Sequence, residues 1–289
     1  LGANTAQITS WFWALGLGIG LAGMFLSWKL KYPVSTAWST AGLALIIATG
    51  SGYSLNEAIG AFLVCGFITA VLGYLGIFER VLTLIPQSLT SAMLAGVLLK
   101  FGIELFASLK TDWGFILSLL AVYIVAKKLT PRYSIVLTVI AAVALCPVFL
   151  DFHTPTVTWS MAQPVWMTPD FTWSAILGLA LPLFVINMAS QYLPGIAMIK
   201  SYGYQPDVNK LIGGTGLIQT LLAPFGCYSV NIAAISAAVS LDDQVHPDPS
   251  KRYIAGISCG FFYVLMGLFA ATLTSLLMSF PHIFIVALA

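Results

Sequence analysis

The sequence predicts an all-α polytopic membrane protein, and three observations lead there. Hydrophobic residues fill 59% of the 289 positions and charged residues 8%, with a mean hydropathy of +0.96, whereas a soluble domain carries about 25% charge. Apolar runs recur along the whole chain, and about 20 apolar residues are what a helix needs to cross a hydrocarbon core about 30 Å thick. When successive runs are threaded back and forth, the basic residues collect on one side.

Taken in order, the runs bounded by charge, Pro or Gly are 8–28, 33–50, 55–77, 86–109, 113–129, 133–150, 171–199, 208–222, 224–240 and 252–280, with a stub at 281–289. The pieces 208–222 and 224–240 are short, and Pro224 separates them. Threading puts Lys29, Lys31, Arg80, Lys127, Lys128, Arg132, Lys200, Lys210, Lys251 and Arg252 together, with Lys100 and Lys110 as the exceptions. The Lys/Arg-rich side is cytoplasmic, so residue 1 starts outside. The loop 151–170 on the opposite side has Asp151 and Asp170 but no Lys or Arg. Its Pro, Thr and Trp suit an extended interfacial segment between two halves of the protein. Residue 1 is Leu, the opening residues lack the basic n-region and small-residue cleavage site of a signal peptide, and the chain stops inside an apolar run that begins at Ile283, so both ends are expected to be truncated.

Several classes fall away. Ile59–Ile77 and Ile254–Met278 lack the alternation of barrel strands. The net charge of +2 is scattered in ones and twos, so no nucleic-acid partner is expected. Cys65, Cys146, Cys227 and Cys259 stand singly in apolar surroundings, and His153, His246 and His282 lie in loops or at a span start. No metal site, cofactor or disulfide framework is expected from them. An intramembrane hydrolase would need an Asp pair, a Ser–His pair or HExxH within spans; none is present, and no enzyme activity is expected.

Two stretches break the apolar pattern alike. One opens Pro33-Val-Ser-Thr-Ala-Trp38-Ser39-Thr40-Ala-Gly42 and the other Pro224-Phe-Gly226-Cys-Tyr228-Ser229-Val-Asn231-Ile-Ala. Each has Pro first, then small and hydroxyl residues around one aromatic–Ser pair. Such side chains are costly in lipid unless they face protein or a water-filled cavity. A half-helix beginning near mid-membrane points unbonded N–H groups and a partial charge of about +0.5 at whatever precedes it. Paired interrupted segments in corresponding positions are the sequence pointer to a transporter's binding site. The alternative is that Pro33 and Pro224 simply begin ordinary helices.

A third polar stretch, Asn187-Met-Ala-Ser190-Gln191-Tyr192-Leu-Pro194-Gly195, lies within 171–199. Asn187 and Gln191 are four apart, so a regular helix puts both amides on one face, where they orient a ligand or glue helices together. Lys100 and Glu104 form another such pair inside 86–109, read first as a structural or snorkelling ion pair.

At Ala37-Trp-Ser-Thr-Ala-Gly42, Met188-Ala-Ser-Gln-Tyr-Leu-Pro-Gly195 and Pro224-Phe-Gly-Cys-Tyr-Ser-Val-Asn-Ile-Ala-Ala-Ile235 the chain resembles the BenE family of benzoate/proton symporters. Ile85-Pro-Gln-Ser-Leu-Thr-Ser-Ala-Met-Leu-Ala-Gly96 and His246-Pro-Asp248 extend the resemblance nearly end to end. It implies a seven-plus-seven inverted-repeat fold of 14 spans in the full length, shared with uracil permease and the sulfate transporters. Here about ten spans and a stub are expected, with one span missing at the start and most of the last three. It also implies a core transport domain from 1–77 and 171–280, the extracytoplasmic loop 151–170 between the repeats, and a gate domain from 78–150 and 281–289. Where nucleobase permeases carry acidic residues in the eighth and tenth spans, this chain has Asn187, Gln191 and Asn231. An anionic substrate, which a nearby carboxylate would repel, fits that change.

The function expected is therefore uptake of benzoate or a similar aromatic carboxylate with protons, by alternating access, across the bacterial inner membrane. Ser39, Thr40, Ser229 and Asn231 would donate to the carboxylate. Trp38, Tyr192 and Tyr228 would flank the ring, with Gln191 and Asn187 orienting it and Glu104 as the proton-coupling candidate. The partners expected are that substrate, protons and the lipid bilayer, with a homodimer as the assembly to test. The rival readings keep the fold with another small anion or a nucleobase, or make the protein a passive anion channel.

Overall fold

A computed structural model describes residues 1–77, 87–150, 159–233, 235–280 and 283–284, and its chain divides into two compact units, 1–94 with 159–273 and 95–158 with 274–289. In the first unit, α1 (Thr5–Leu30) is followed by an extended stretch containing β1 (Thr36–Ala37), then α2 (Thr40–Thr49) and α3 (Leu55–Tyr74). The helix α4 (Gln87–Leu129) is interrupted at Asp112, and α5 is Ser134–Phe149. The first unit resumes with α6 (Trp173–Ser201), α7 (Val208–Leu222), β2 (Asn231–Ile232), α8 (Ile235–Leu241) and α9 (Tyr253–Leu268). Finally, α10 is Ala270–Ser279.

Side-chain oxygens start these helices where the sequence places them. Asn4 and Ser54 form capping boxes with Gln7 and Glu57, and Ser39 and Asp207 accept N–H bonds from Gly42 and Lys210. Such caps satisfy backbone donors that a helix N-terminus leaves open. The Lys210 ammonium also pairs with Asp207 at 2.6 Å and, as the main cause, holds its carboxyl below the usual range.

Among the described residues, α1, α3, α6 and the Leu105–Leu129 part of α4 are each long and apolar enough to cross a membrane. The runs expected at 86–109 and 113–129 meet at the Asp112 break, φ −122° and ψ 36°. The run 252–280 is divided at Phe269, where the helix stops. Two expected helix starts move inward. Residues 33–39 and 227–233 are extended, with Gly226 in a left-handed turn before the second stretch, so the described helices start at Thr40 and Ile235 and not at Pro33 and Pro224. Both stretches are dense in residues whose side chains bond the backbone in non-helical conformations.

Two helix pairs build the first unit, α1 against α9 and α3 against α7, and both depend on small residues. A Cβ at Gly16 would lie 2.5 Å from the Gly267 Cα, and one at Gly20 2.5 Å from the Gly260 carbonyl oxygen. In α7, Cβ atoms at Gly213 and Gly216 face Tyr74 and the Ala70 backbone of α3. Close backbone approach replaces the hydrophobic drive that lipid removes. The second unit has its own small core of Phe115, Leu119, Ala142, Cys146 and Phe284.

Candidate functional site

The two polar stretches meet in the first unit. β1 and β2 pair antiparallel, with Thr36 opposite Ile232 and Ala37 opposite Asn231, and the Ala233 N–H continues the ladder to the Ser35 carbonyl at 2.9 Å. In lipid every backbone polar group needs a protein partner, so two unwound segments satisfy each other. Side chains lock the crossing. The Ser229 hydroxyl accepts the Ser39 N–H at 2.9 Å, the Tyr228 hydroxyl donates to the Ser39 carbonyl at 3.1 Å, and Ser35 bonds Ser240.

The flanking helices hold this crossing from both sides. Tyr192, wholly buried, reaches the Val230 carbonyl at 3.0 Å and Thr215 at 2.8 Å. Gln219 of α7, also buried, donates through Nε2 to the Phe62 and Tyr228 carbonyls at 3.2 and 3.1 Å, and its Oε1 accepts the Val230 N–H at 3.4 Å. The Gly195 position at the start of the last turns of α6 lies against Ile232; a Cβ there would be 2.9 Å from its carbonyl oxygen.

Two amides stand apart from this satisfied network. Asn231, 0% exposed, has no hydrogen-bond partner for either side-chain atom, and Asn187, 1% exposed, has none for Oδ1. The Asn187 amide nitrogen reaches only the Cys65 sulfur, at 3.9 Å. Buried polar atoms are nearly always bonded, so unpaired ones require a reason.

Of the residues predicted from sequence, Ser39, Tyr228, Ser229 and Asn231 come together at the crossing, and Tyr192 bonds the same strand. The turn Met188–Tyr192 is π-helical, with Asn187 buried and Gln191 half-buried. Thr40, the first residue of α2, is exposed. Trp38 is 38% exposed and lines, with Tyr228, Trp11 and Ile46, a cavity of about 540 Å³. The Glu104 side chain lies outside the described residues. Gln219 was missed; its signal was Thr215 and Gln219, four apart in an otherwise apolar helix.

A bundle of apolar helices enclosing two unwound, mutually paired segments and unpaired amides defines a polytopic membrane transport protein. The family model described as benzoate membrane transport protein, BenE, matches residues 1–289. The chain belongs to the BenE family. It is 42% identical over 288 residues to Inner membrane protein YdcO of Escherichia coli (strain K12), covering 100% of this chain and 74% of that one. It is 35% identical over 293 residues to the Benzoate membrane transport protein of Acinetobacter baylyi (strain ATCC 33305 / BD413 / ADP1), covering 99% of this chain and 73% of that one. The expected membrane class and family are thus borne out: this is a multi-pass inner-membrane transport protein and not an enzyme.

Proposed function

We propose that this protein imports benzoate or a closely similar aromatic acid together with protons, by alternating access, and that the substrate's carboxyl group meets the crossing of β1 and β2. The observation that carries this reading is the pairing of Ala37 with Asn231, which puts both polar stretches and the unpaired Asn231 amide at one place. Trp38 and Tyr228, at the wall of the adjoining cavity, supply ring faces for an aromatic body. The name of the Acinetobacter relative supports benzoate as the substrate.

The packing also supports an inverted repeat. If α1, α2 and α3 correspond to α7, α8 and α9, exchanging the halves turns the α1–α9 pair into the α7–α3 pair and β1 into β2. The same proposal includes the full-length 14-span fold, with 1–77 and 171–280 as transport core and 78–150 and 281–289 as gate; that symmetry and the family support it. A homodimer belongs to the same proposal. Uptake of labelled benzoate by cells expressing the protein tests the reading. Saturable accumulation that collapses on adding a protonophore is expected; accumulation untouched by the protonophore overturns the coupling, and no uptake above control cells overturns the substrate.

A further inference from the structure

We propose that the substrate is bound as the neutral carboxylic acid, with the Asn231 amide, assisted by Asn187, as the group that recognises it. This rests on the benzoate reading above and adds to it the protonation state of the cargo and the source of the coupled proton.

The crossing has little to offer an anion. Among the described residues Arg252 is the one buried charged side chain, and its guanidinium is spent on the carbonyl oxygens of Leu241, His246 and Pro247 at 2.8, 2.7 and 3.4 Å. Most of the nearby donors are also spent. Both protons of the Gln219 amide go to carbonyls, and the hydroxyls of Tyr228 and Tyr192 have carbonyl partners. The helix α8 has seven residues, too short to present a helix-end charge, and the first turn of α2 is capped by Ser39. Burying a carboxylate without a cation or a set of donors is strongly unfavourable, and the ordinary response is that the group takes up a proton.

The unpaired atoms instead match a neutral acid. Asn231 offers a donor group, the Nδ2 amide, and an acceptor, Oδ1, side by side, and Asn187 offers the acceptor Oδ1. A carboxylic acid likewise carries one O–H donor and one carbonyl acceptor. The two groups close an eight-membered ring of two hydrogen bonds, O–H to the amide oxygen and amide N–H to the acid carbonyl. A carboxylate has acceptors alone, and would press its charge against the Asn231 amide oxygen.

The proton balance follows. The carboxylate takes one proton from the outer solution as it enters the site, crosses as the acid, and releases that proton on leaving into the cytoplasm. One proton moves per substrate, with no side chain titrating. The ionisable groups within the elements packed around the crossing are Cys65, Cys227, Cys259, Tyr192, Tyr228 and Tyr263, the last packed edge-on against Trp38, with Tyr74 and Tyr253 at helix ends; all are uncharged at neutral pH by their ordinary acidities. The charged residues of those elements lie at their ends: Lys29, Glu57, Lys200, Lys210 with Asp207, and Arg252.

The test is equilibrium binding to the full chain purified in detergent, measured calorimetrically for benzoate, for ring-substituted benzoates of graded acidity, and for benzamide. If the acid is bound, the Kd for total benzoate rises about tenfold per pH unit above the substrate's own pKa, near 4 for a carboxylic acid. At fixed pH, weaker acids bind tighter in proportion, and benzamide, which repeats the donor–acceptor pair without a charge, binds with a Kd that does not move with pH. A benzoate Kd flat across pH, or benzamide failing to bind where benzoate does, overturns the proposal while leaving benzoate transport standing. If none of the three binds at any pH, the substrate reading itself falls. Asn231→Leu should weaken benzoate and benzamide alike by about tenfold or more without lowering the melting temperature; unchanged Kd values in that variant overturn the assignment to Asn231.

Discussion

Replacing Gln219 with Leu is the sharpest perturbation of the crossing that leaves its predicted ligand groups in place. The variant keeps nearly the same volume in a fully enclosed position but withdraws the acceptor of the Val230 N–H and the donor to the Tyr228 carbonyl. The Phe62 carbonyl sits inside α3 and keeps its helical partner, so its loss counts for little. Two buried backbone groups left unpaired cost about 1–3 kcal/mol each; the 3.4 Å bond to Val230 belongs at the low end, for a total of about 3 kcal/mol. In a thermal-shift assay on purified protein this corresponds to a fall of about 6–12 °C. Gln205→Leu, exposed in the loop before α7, should move the transition by less than about 1 °C. If Gln219→Leu melts within about 1 °C of the parent protein, Gln219 does not hold residues 228–230 and the account of the crossing is wrong.

Asn231→Leu has the opposite character: it removes two buried atoms without partners, so the variant should melt at the same temperature or higher while benzoate uptake is lost. Gly216→Val forces side-chain atoms into the Ala70 backbone; separation of α3 from α7 should lower the melting temperature by several degrees and reduce the folded yield on gel filtration. Arg252→Gln releases the carbonyls of Leu241, His246 and Pro247, and limited proteolysis should then cut faster between 242 and 250, with the rest of the chain unaffected.

The helical membrane class was legible because it rests on apolar length and charge placement, which do not depend on packing detail. The candidate residues were legible for a related reason. Hydroxyls and amides at 35–40 and 228–231 are unaffordable in lipid without partners, so their presence announced a site before any geometry was known. What the partners would be was not legible. A bridge of two residues per strand has no periodicity, and the chain reads as a helix from Pro33 or Pro224 until the pairing of Ala37 with Asn231 is seen. The π turn at Met188–Tyr192 likewise leaves no mark in residue types. The stop at Phe269 follows no Pro. Finally, the hydroxyls of Ser39 and Ser229 accept the Gly42 and Ser39 N–H groups, a structural role beside the donor role expected of them that composition does not reveal.

The central claim, that the paired segments hold the substrate, is tested most directly by photolabelling the full chain with an azido-substituted benzoate and mapping the modified peptides. The account predicts label within 36–43 or 226–233, removed by excess benzoate. Label that benzoate displaces only from another part of the chain, such as Leu105–Leu129, would contradict it.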